Sequence, residues 1–428
     1  MSSYNRIIRK ITLAFGDLFS SINCIRFNPD QSEEERFLVP IEYAAKEMYV
    51  RRLSDPDLSK KVQITLPRLS YEMTGLSYDS SRKQITNNKQ FFQSGTTLTQ
   101  MYTPVPYDFD FSLYIYTRNE EDGVADAVNE AIEIGRQAKL PVEISHFKVN
   151  GQNNWGRSNE TISIVENARK EGIDVTIDQY PYTASSTNLG ILLPDWVLAD
   201  GQDSILARLK NPIIREQVRQ HSISIIRKRG LKHFDYAYVA LFKADTTYNG
   251  KNIREINKMR GHKDKAIDEA ETIIQMMELG GAQMVYHGMG EKDVANIMRY
   301  PFNMAASDAG IAQMGVSRPH PRAYGTNARV LGKYVREDKV ISLEEAIRRM
   351  TSLPANKFNL KERGLIKEGY FADIVVFNDK EVGDQASFEN PHQFSKGFQY
   401  VIVNGAITIE NGMHNGTRKG TAIRNNNL

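Results

Sequence analysis

Several polar and aromatic side chains lie at the ends of short apolar stretches, where parallel strands present side chains to a shared pocket. These residues are Tyr116, His146, Lys148, Asp178, Tyr180, His287 and Asp308. His146 ends the alternating run "PVEISHFK", and Asp308 follows the apolar part of "FNMAASDAG". A carboxylate and an imidazole can bind a metal ion, and a carboxylate can also take a proton from a metal-bound water. A lone histidine at a strand end is more commonly a hydrogen-bonded structural group. The spacing of these residues therefore gives a metal site only as a hypothesis.

A second group of charged residues occurs in "RPHPRAYGT", where prolines stiffen a loop that carries Arg318, His320 and Arg322. Guanidinium groups bind carboxylates in a bidentate manner, so this loop is a candidate clamp for a substrate carboxylate. Alternatively, Arg322 forms an ion pair with a surface carboxylate. His287 is expected to have a structural role, either in capping a helix or in packing. Cys24 could ligate zinc, but no partner residue lies near it in the sequence.

The elements that would position these residues follow an alternating pattern. Apolar periodicity predicts strands at 111–117, 141–147 and 173–182, with amphipathic helices at 122–139 and 157–172 between them. Strand, helix and strand at this spacing indicate right-handed βαβ units and a parallel sheet.

Residues 195–282 depart from this pattern and are predicted to form a helical, lid-like insertion. The stretches 283–288 and 302–310 are predicted to resume the alternation, and "SLEE" predicts the start of a helix at 342–352. Two short β runs near the C-terminus meet at Asn404-Gly405, which is a hairpin signal. The predicted domains are a divergent N-terminal segment at 1–105, an α/β barrel at 106–355 and a small β domain at 356–428.

The composition excludes several classes of protein. The chain has 428 residues, and its formal net charge of +3 is too small to argue for nucleic acid or an anionic membrane. No apolar run reaches the roughly 18 residues that a membrane span requires. The single cysteine excludes an internal disulfide and fits a reducing, cytoplasmic compartment. We expect a small-molecule substrate, no nucleic acid and no membrane, with a homo-oligomer left open.

The first hundred residues do not follow the alternating pattern. A complete eight-stranded barrel would need three or four strands from them, and only "ERFLVPIEY" and "KKVQITLPRL" are convincing strand candidates. The basic, acid-poor start of the chain favours an ordinary surface helix over a mitochondrial presequence. The expected fold class is therefore α/β, with a TIM-type (β/α) barrel that is incomplete in its N-terminal half and a small C-terminal β-sandwich-like domain.

From about residue 113 to 420 the sequence resembles the N-acyl-D-amino-acid deacylases (D-aminoacylases) of the amidohydrolase superfamily. The stretches that carry this resemblance are "RNEEDGVADAVNEAIEIGRQAKLPVEISHFK", "GRSNETISIVENARKEGIDVTIDQYPYTASSTNL", "AASDAG", "RPHPRAYGTNARVLGKYVRED", "SLEEAIRRMTSLPANKF" and "RGLIKEGYFADIVVFN". The resemblance implies a TIM-type barrel with a small β-sandwich domain, and a zinc-dependent hydrolysis that releases a D-amino acid from its N-acyl derivative. One zinc ion is expected in an active chain.

The resemblance also implies roles for individual residues. His146 matches the metal-binding histidine, and Asp308 matches the aspartate that binds the metal and serves as general base and then acid. Lys148 and Arg322 match contacts to the substrate carboxylate. Either Tyr180 or Tyr182 matches the tyrosine that lines the same pocket.

Three features depart from the family pattern. No His-x-His pair occurs in the chain, no counterpart of the family's metal-bridging cysteine or acid surrounds Cys24, and Tyr116 occupies a position that is a histidine ligand in relatives. One hypothesis is a working deacylase whose N-terminal segment supplies other ligands, such as Cys24, Asp108 or Asp110. The alternatives are a catalytically impaired relative that only binds acyl-amino acids or serves a structural role, and a truncated product that folds poorly.

Overall fold

The computed structural model describes residues 76–79, 84–87 and 113–423. Its strands, in chain order, are β1 (Leu76–Asp79), β2 (Gln84–Asn87), β3 (Leu113–Tyr116), β4 (Val142–Ser145), β5 (Val175–Gln179), β6 (Ala184–Asn188), β7 (Ala237–Leu241), β8 (Gln283–His287), β9 (Asn303–Ala305), β10 (Ile374–Phe377), β11 (Phe398–Val403), β12 (Ala406–Glu410) and β13 (Met413–His414). The two candidate strands of the N-terminal segment, Cys24, Asp108 and Asp110 lie outside the described residues, as does the start of the chain.

The α-helices follow the same chain order. They are α1 (Val124–Ala138), α2 (Ser158–Lys170), α3 (Asp195–Leu198), α4 (Gln202–Lys210), α5 (Pro212–Lys228), α6 (Ile253–Met259), α7 (Ala266–Glu278), α8 (Glu291–Arg299), α9 (Arg322–Arg329), α10 (Leu343–Met350) and α11 (Ser352–Lys357). A π-helical segment, Val330–Glu337, continues α9.

A four-stranded parallel sheet in the order β3-β4-β5-β9 carries the strand ends singled out in the sequence. Helices α1 and α2 connect β3 to β4 and β4 to β5, as the apolar periodicity of residues 111–182 predicts. One face of the sheet is apolar: Ile115, Ile144 and Ile177 are fully buried against the helices. The fit between helix and sheet is close, because a Cβ placed at Gly135 would lie 2.0 Å from Val142 Cγ2.

A second, antiparallel sheet has the order β6-β8-β7. The predicted return of the strand and helix alternation at 283–310 is confirmed, because β8, α8 and β9 follow one another there. The expectation of a single parallel sheet is wrong for β8, which pairs antiparallel with both β6 and β7. An apolar run shows that a strand is buried, but the direction of its pairing depends on distant partners, here Asn188 with Gln283. Helices α4, α5 and α7 share a separate hydrophobic core with this sheet, centred on Phe234 and Ile273.

The C-terminal strands β10 to β13 form one antiparallel sheet. The predicted hairpin between β11 and β12 is confirmed, with φ angles of 47° at Asn404 and 79° at Gly405. Two successive positive φ angles are typical of the tight turn that joins twisted strands. The predicted helix start is also confirmed, because the Ser342 side chain accepts a hydrogen bond from the Glu345 N–H at 3.2 Å.

Candidate active site

The residues that the sequence singled out meet at one end of the parallel sheet. His146 follows β4, Tyr180 follows β5, Asp308 follows β9 and Arg322 begins α9. His146 and Asp308 both have positive φ angles, 43° and 46°. Left-handed backbone at non-glycine residues is uncommon and concentrates at functional sites, where the surrounding structure holds it in place.

Glu120, in the loop after β3, holds Lys148 and His146 together. The Lys148 ammonium lies 2.5 Å from Glu120 Oε1 and 2.7 Å from His146 Nδ1. It also donates to the His146 backbone oxygen at 2.7 Å, and Glu120 Oε1 lies 3.1 Å from His146 Nδ1. Burial alone would raise the pKa of Glu120, but Lys148 and His146 outweigh that effect and hold the pKa at about 2. Glu120 is therefore a carboxylate at neutral pH.

Tyr180 lies close to both cations of the site. Its ring centroid is 4.4 Å from the Arg322 guanidinium carbon and 5.6 Å from Lys148 Nζ. Arg322 is buried, and its Nη1 lies 2.9 Å from Asp308 Oδ2 in an ion pair that lacks the alignment of a hydrogen bond. The Tyr180 hydroxyl is buried without a hydrogen-bond partner in the structure. Glu120, His146, Lys148, Tyr180, Asp308 and Arg322 are called the site cluster below.

The structure separates the two tyrosines of "DQYPY". The Tyr182 ring packs edge-on against His320 at 5.1 Å and lies 4.8 Å from the Arg329 guanidinium carbon, away from Lys148. His320 holds the backbone at Arg322 in place. Its Nδ1 accepts from the Arg322 backbone N–H at 3.0 Å, and its Nε2 lies 2.8 Å from the Ala184 backbone oxygen. Burial and the Arg322 guanidinium hold the pKa of His320 well below its usual range, so the imidazole is neutral.

Asp178 and His287, the remaining sequence candidates, lie beside the site cluster. The His146 backbone N–H donates to Asp178 Oδ1 at 2.7 Å, which fixes the turn after β4. Burial raises the pKa of Asp178 and, together with the charge of Asp178, that of Glu143 on the adjacent strand. His287 packs edge-on against Phe388 at 4.6 Å, in agreement with a packing role.

The described residues include two of the metal ligands that the sequence predicted. His146 and Asp308 offer an imidazole and a carboxylate, whereas a catalytic zinc site usually has three protein ligands. The Tyr116 ring stacks on His146, with centroids 4.6 Å apart and an interplanar angle of 18°. Tyr116 thus lies beside His146, but a phenol is a poor zinc ligand near neutral pH. Within the described part of the chain, His146 and Asp308 do not belong to any set of three ligand atoms that lie within 4.8 Å of one another.

Another cluster of ligating groups lies in the insertion. His233, Asp264 and Glu269 bring their ligand atoms within 4.8 Å of one another. Arg254 already holds Asp264 through contacts of 2.7 and 2.8 Å, and Lys258 Nζ lies 3.0 Å from the same carboxylate. These two cations neutralise the cluster, so it is a salt-bridge network within the insertion.

Sequence reasoning missed Glu120 and its neighbour Glu121. Glu121 forms an ion pair with Arg229, which follows α5 in the insertion. The two acids stand in "RNEEDG", within five residues of the end of β3. Their position at the same sheet end as His146 is a signal that could have identified them.

Comparison with known proteins divides the chain into two parts. A family model described as "Amidohydrolase family" matches residues 217–409, and one described as "T4-like virus Myoviridae tail sheath stabiliser" matches residues 2–162. The two matched ranges do not overlap. Strands β3 and β4 and helix α1 lie within residues 2–162, but the two strands belong to the same parallel sheet as β9, which lies within residues 217–409. The N-terminal segment, expected to be divergent, instead resembles a different family.

The D-aminoacylase of Alcaligenes xylosoxydans xylosoxydans is 33% identical over 308 residues, which cover 72% of this chain and 54% of the relative. A solved D-aminoacylase structure, described by its binuclear metal center, matches with a TM-score of 0.55 at 34% identity, covering 72% of this chain and 54% of that one. The N-acyl-D-glutamate deacylase of Bordetella bronchiseptica, solved with zinc and a phosphonate inhibitor, matches with a TM-score of 0.53 at 32% identity, covering 69% and 52%. The resemblance to the deacylases is confirmed, and the chain spans about half the length of the curated relatives it matches.

The tail completion protein gp15 of Enterobacteria phage T4 is 33% identical over 127 residues, covering 28% of this chain and 46% of that protein. In the described part of the chain, no helix is long and apolar enough to cross a bilayer.

Proposed function

Residues 217–409 of the chain belong to the amidohydrolase family, and from this premise we propose that the chain is a metal-dependent amide hydrolase. Its proposed substrates are N-acyl-D-amino acids, which it cleaves to a D-amino acid and a carboxylate. The parallel sheet β3-β4-β5-β9 with its helices would form one part of a TIM-type barrel, since the relatives with solved structures share this region.

The observation that carries the proposal is the pair of cations that lie close to the Tyr180 ring. An N-acyl-amino acid bears a carboxylate next to the amide, and Lys148 and Arg322 lie on one aromatic ring at 5.6 and 4.4 Å. Arg322 is buried, and its guanidinium lies against the Tyr180 ring, which limits the directions in which its planar fork can meet a carboxylate. Of the two candidate tyrosines, Tyr180 is proposed as the pocket residue, while Tyr182 supports Arg329 and His320.

Asp308 is proposed as the residue that accepts the proton of the attacking water. In the structure its Oδ2 contacts Arg322, so a substrate carboxylate that binds Arg322 would compete with Asp308 for the same guanidinium. Binding would thereby free the Asp308 carboxylate for proton transfer beside the amide. Holding the amino-acid end in place also makes the attack effectively intramolecular.

The proposal includes one zinc ion, held by His146 and Asp308 together with ligands from outside the described residues. Zinc would lower the pKa of a bound water toward 7 and polarise the amide carbonyl. A cytoplasmic location and self-association through the open edges of β3 and β9 are also proposed, since each of these strands has one hydrogen-bonded neighbour in the described sheet.

The test combines metal content with hydrolysis. Elemental mass spectrometry of the purified, chelator-rinsed full chain should give about one zinc per chain, and N-acetyl-D-amino acids should be hydrolysed. Asp308→Asn keeps a residue that tolerates left-handed backbone, so it should abolish turnover without loss of folding. Retained turnover in this variant would reject the role of Asp308, and zinc-free protein that still binds the ligands would favour a non-catalytic relative.

A second candidate function applies to the N-terminal segment, because residues 2–162 match the tail sheath stabiliser model. We propose that this segment serves in assembly of a virus tail. Co-sedimentation of the full chain with purified T4-like tails would test it, with a chain that lacks residues 2–105 as the comparison. Equal sedimentation of the two would reject the assignment.

A further inference from the structure

Two adjacent acidic residues in the loop after β3 contact two different parts of the chain. The Glu120 carboxylate lies 2.5 Å from Lys148 Nζ in the site cluster. Glu121 forms an ion pair with Arg229, which follows α5 in the insertion. Because consecutive Cα atoms are only about 3.8 Å apart, a movement of one of these residues carries the other with it. The site cluster and the insertion are therefore joined through two neighbouring residues.

Arg229 is held in place on the side of the insertion. Its side chain is buried, and its guanidinium carbon lies 4.7 Å from the centroid of the Tyr236 ring. Helix α5, which precedes it, contributes Ile226 to the hydrophobic core of the insertion. The backbone oxygen of Lys228 accepts a hydrogen bond from the Asn153 side chain at 2.5 Å. The packing of the insertion thus sets the position of the Arg229 guanidinium.

Glu121 is the carboxylate that neutralises this buried guanidinium. In the part of the chain that the structure describes, no other acidic residue forms an ion pair with Arg229. The Arg229 Nε and Nη1 atoms are buried there without a hydrogen-bond partner. Removing one member of such a pair is strongly unfavourable, because the other charge would be left unpaired away from water. We therefore expect the Glu121 carboxylate to follow Arg229.

Glu120 depends on the path of its loop for its own position. Arg118 and Asn119, which precede it, are exposed. The Glu120 backbone oxygen accepts from the Asn150 N–H at 2.7 Å, and the Glu121 N–H donates to Asn119 Oδ1 at 2.8 Å within the loop. Hydrogen bonds weaken steeply when distance and alignment change. A small shift of this loop would therefore weaken the contact through which Glu120 holds the lysine of the site cluster.

We propose that Glu121 and Arg229 are positioning residues of the site cluster. Their ion pair ties the insertion to the loop that holds Lys148, so that the ammonium meets a ligand carboxylate at a fixed place. A binding group that is already in position lowers the cost of binding. Glu121 and Arg229 act on the ligand through Glu120 and Lys148. This inference rests on the proposed function for the chemistry of the ligand, an N-acyl-D-amino acid, and it does not depend on turnover.

The next acid of the loop provides a matched control. Asp122 Oδ1 accepts from the Asn154 side chain at 3.0 Å, so this residue holds the loop to the segment before α2. Asp122→Asn and Glu121→Gln each remove one negative charge and keep a side-chain oxygen. If the loop needed only its general shape, the two substitutions would have equal effects. Positioning by the insertion separates them, because only Glu121 contacts Arg229.

The test measures ligand binding by the full-length protein. The probe is whichever N-acetyl-D-amino acid raises the melting temperature most. Calorimetry should show that Glu121→Gln and Arg229→Met each bind it about fivefold or more weakly, and that Asp122→Asn binds it within about twofold of unmodified protein. The combined variant Glu121→Gln with Arg229→Met should bind no more weakly than either alone, because the pair is already lost in each. It leaves no buried charge unpaired, so it gives the answer if a single variant folds poorly.

A second measurement separates positioning from a general structural defect. A structural defect would lower the affinity whether or not Lys148 is present. In the background of Lys148→Met, the further change Glu121→Gln should alter the affinity by less than about twofold, because the lysine that it positions is gone. In a chain that hydrolyses the probe, Glu121→Gln should raise KM and leave kcat within about twofold, as expected when binding of a non-reacting group is lost.

Four results would each overturn the proposal. They are equal affinity of Glu121→Gln and unmodified protein, an equal loss in Asp122→Asn, a loss that persists in full in Lys148→Met, and no binding of any N-acetyl-D-amino acid. Binding that depends on Glu121 in a chain without hydrolysis would leave the proposal standing and reject the proposed activity alone. Hydrolysis with a KM that Glu121→Gln does not change would do the reverse.

Discussion

At the scale of single residues, both cations of the site cluster already contact a carboxylate of the chain. Lys148 lies against Glu120, and Arg322 lies against Asp308. Buried cations without such partners would be strongly disfavoured, because burial removes their hydration. We therefore expect a ligand carboxylate to bind here in exchange for an internal one, with an affinity that depends on how easily the internal carboxylate leaves.

Arg322→Ala should remove the stabilisation that N-acetyl-D-amino acids give to the melting temperature. The substitution deletes the buried guanidinium, and a lost hydrogen bond to a charged group is worth about 1.5–3 kcal/mol, or roughly 10- to 100-fold in affinity. Arg318→Ala is the control, since Arg318 lies on the same loop but pairs with the Glu389 backbone oxygen. An unchanged thermal shift in Arg322→Ala would contradict the assignment of the clamp.

Tyr116→His should raise the affinity of the chain for zinc. The Tyr116 ring stacks on His146, so an imidazole there would join His146 as a ligand of the kind that zinc prefers. Tyr114→His is the matched control, because Tyr114 is two residues earlier on the same strand and bonds Ser145 instead. Competition titration with a zinc-binding dye would measure both, and equal affinities in the two variants would argue against the placement of β3 beside β4.

Acid should destabilise the protein through His320. Its folded-state pKa lies below the ordinary value of 6.5, so below pH 6.5 the unfolded chain binds a proton that the folded chain does not. The contribution of His320 is complete above pH 6.5 and is lost as the pH falls below it, with a slope of up to about 1.4 kcal/mol per pH unit. Urea unfolding at pH 7 and pH 5.5 should show a smaller loss in His320→Gln than in unmodified protein, and equal losses would reject this origin.

At the scale of elements, one buried carboxylate lies at the N-terminal ends of two helices. Asp293 lies in the first turn of α8, and it accepts from the Gly156 N–H at 2.7 Å and the Ser158 N–H at 3.1 Å at the start of α2. Helix starts have unpaired N–H groups and a positive dipole end, so a carboxylate stabilises both. Serine commonly caps a helix from the position before it, but Ser158 is the first residue inside α2, and the acceptor for its N–H comes from another helix.

Asp293→Ala should lower the free energy of unfolding by about 1–2 kcal/mol, the usual cost of losing a helix cap, because two N–H groups lose their acceptor. Asp293→Asn keeps a side-chain oxygen and should lose less. Chemical denaturation would measure the two differences. Equal losses would show that the charge, rather than the acceptor oxygen, is what stabilises the two helices.

Local pattern predicted most of the elements, and contacts between distant residues account for the rest. The strands and helices of residues 111–182, the Ser342 cap and the turn at Asn404-Gly405 are all specified by neighbouring residues. The antiparallel pairing of β8 and the Asp293 cap depend on partners that are roughly a hundred residues away. Periodicity in one sequence carries no information about such partners.

At the scale of the whole molecule, the described residues contain separate hydrophobic cores. One lies between the parallel sheet and its helices, with Ile144 at its centre, and another lies inside the insertion around Ile273. The chain has two tryptophans. Trp155 lies just before α2, whose Val165 belongs to the first core, and Trp196 lies on α3 next to Val197 of the second. Regions with their own cores can unfold separately.

Single-tryptophan variants should therefore report two unfolding transitions. In Trp155→Phe, which retains Trp196, the further change Ile273→Ala should destabilise the reported transition by about 2–5 kcal/mol. In Trp196→Phe, which retains Trp155, the same change should have a smaller effect, and Ile144→Ala should show the reverse preference. Ile273→Ala and Ile144→Ala, each made in both single-tryptophan backgrounds, give four variants, which fluorescence-monitored urea denaturation would compare. Equal shifts of the midpoint in both backgrounds would mean that the two cores unfold as one unit.

The sequence predicted those residues of the site that directly follow a strand or that stand in a recognisable motif. His146, Lys148, Tyr180, Asp308 and Arg322 do meet, because the ends of parallel strands converge. The choice between Tyr180 and Tyr182 depends on which way each side chain points after Pro181, and Glu120 depends on the path of a loop. The similarity of the N-terminal segment to a different family was not predicted, because residues 1–105 carry no motif that links them to chemistry.

The left-handed backbone at His146 and Asp308 has an evolutionary consequence. Asparagine tolerates this conformation about as well as histidine and aspartate do, and it is one nucleotide away from both codons. A single point mutation at either position can therefore remove the imidazole or the charge while the turn keeps its shape. A lineage with this scaffold can lose its chemistry at little cost in folding, and the same mutation in reverse can restore it.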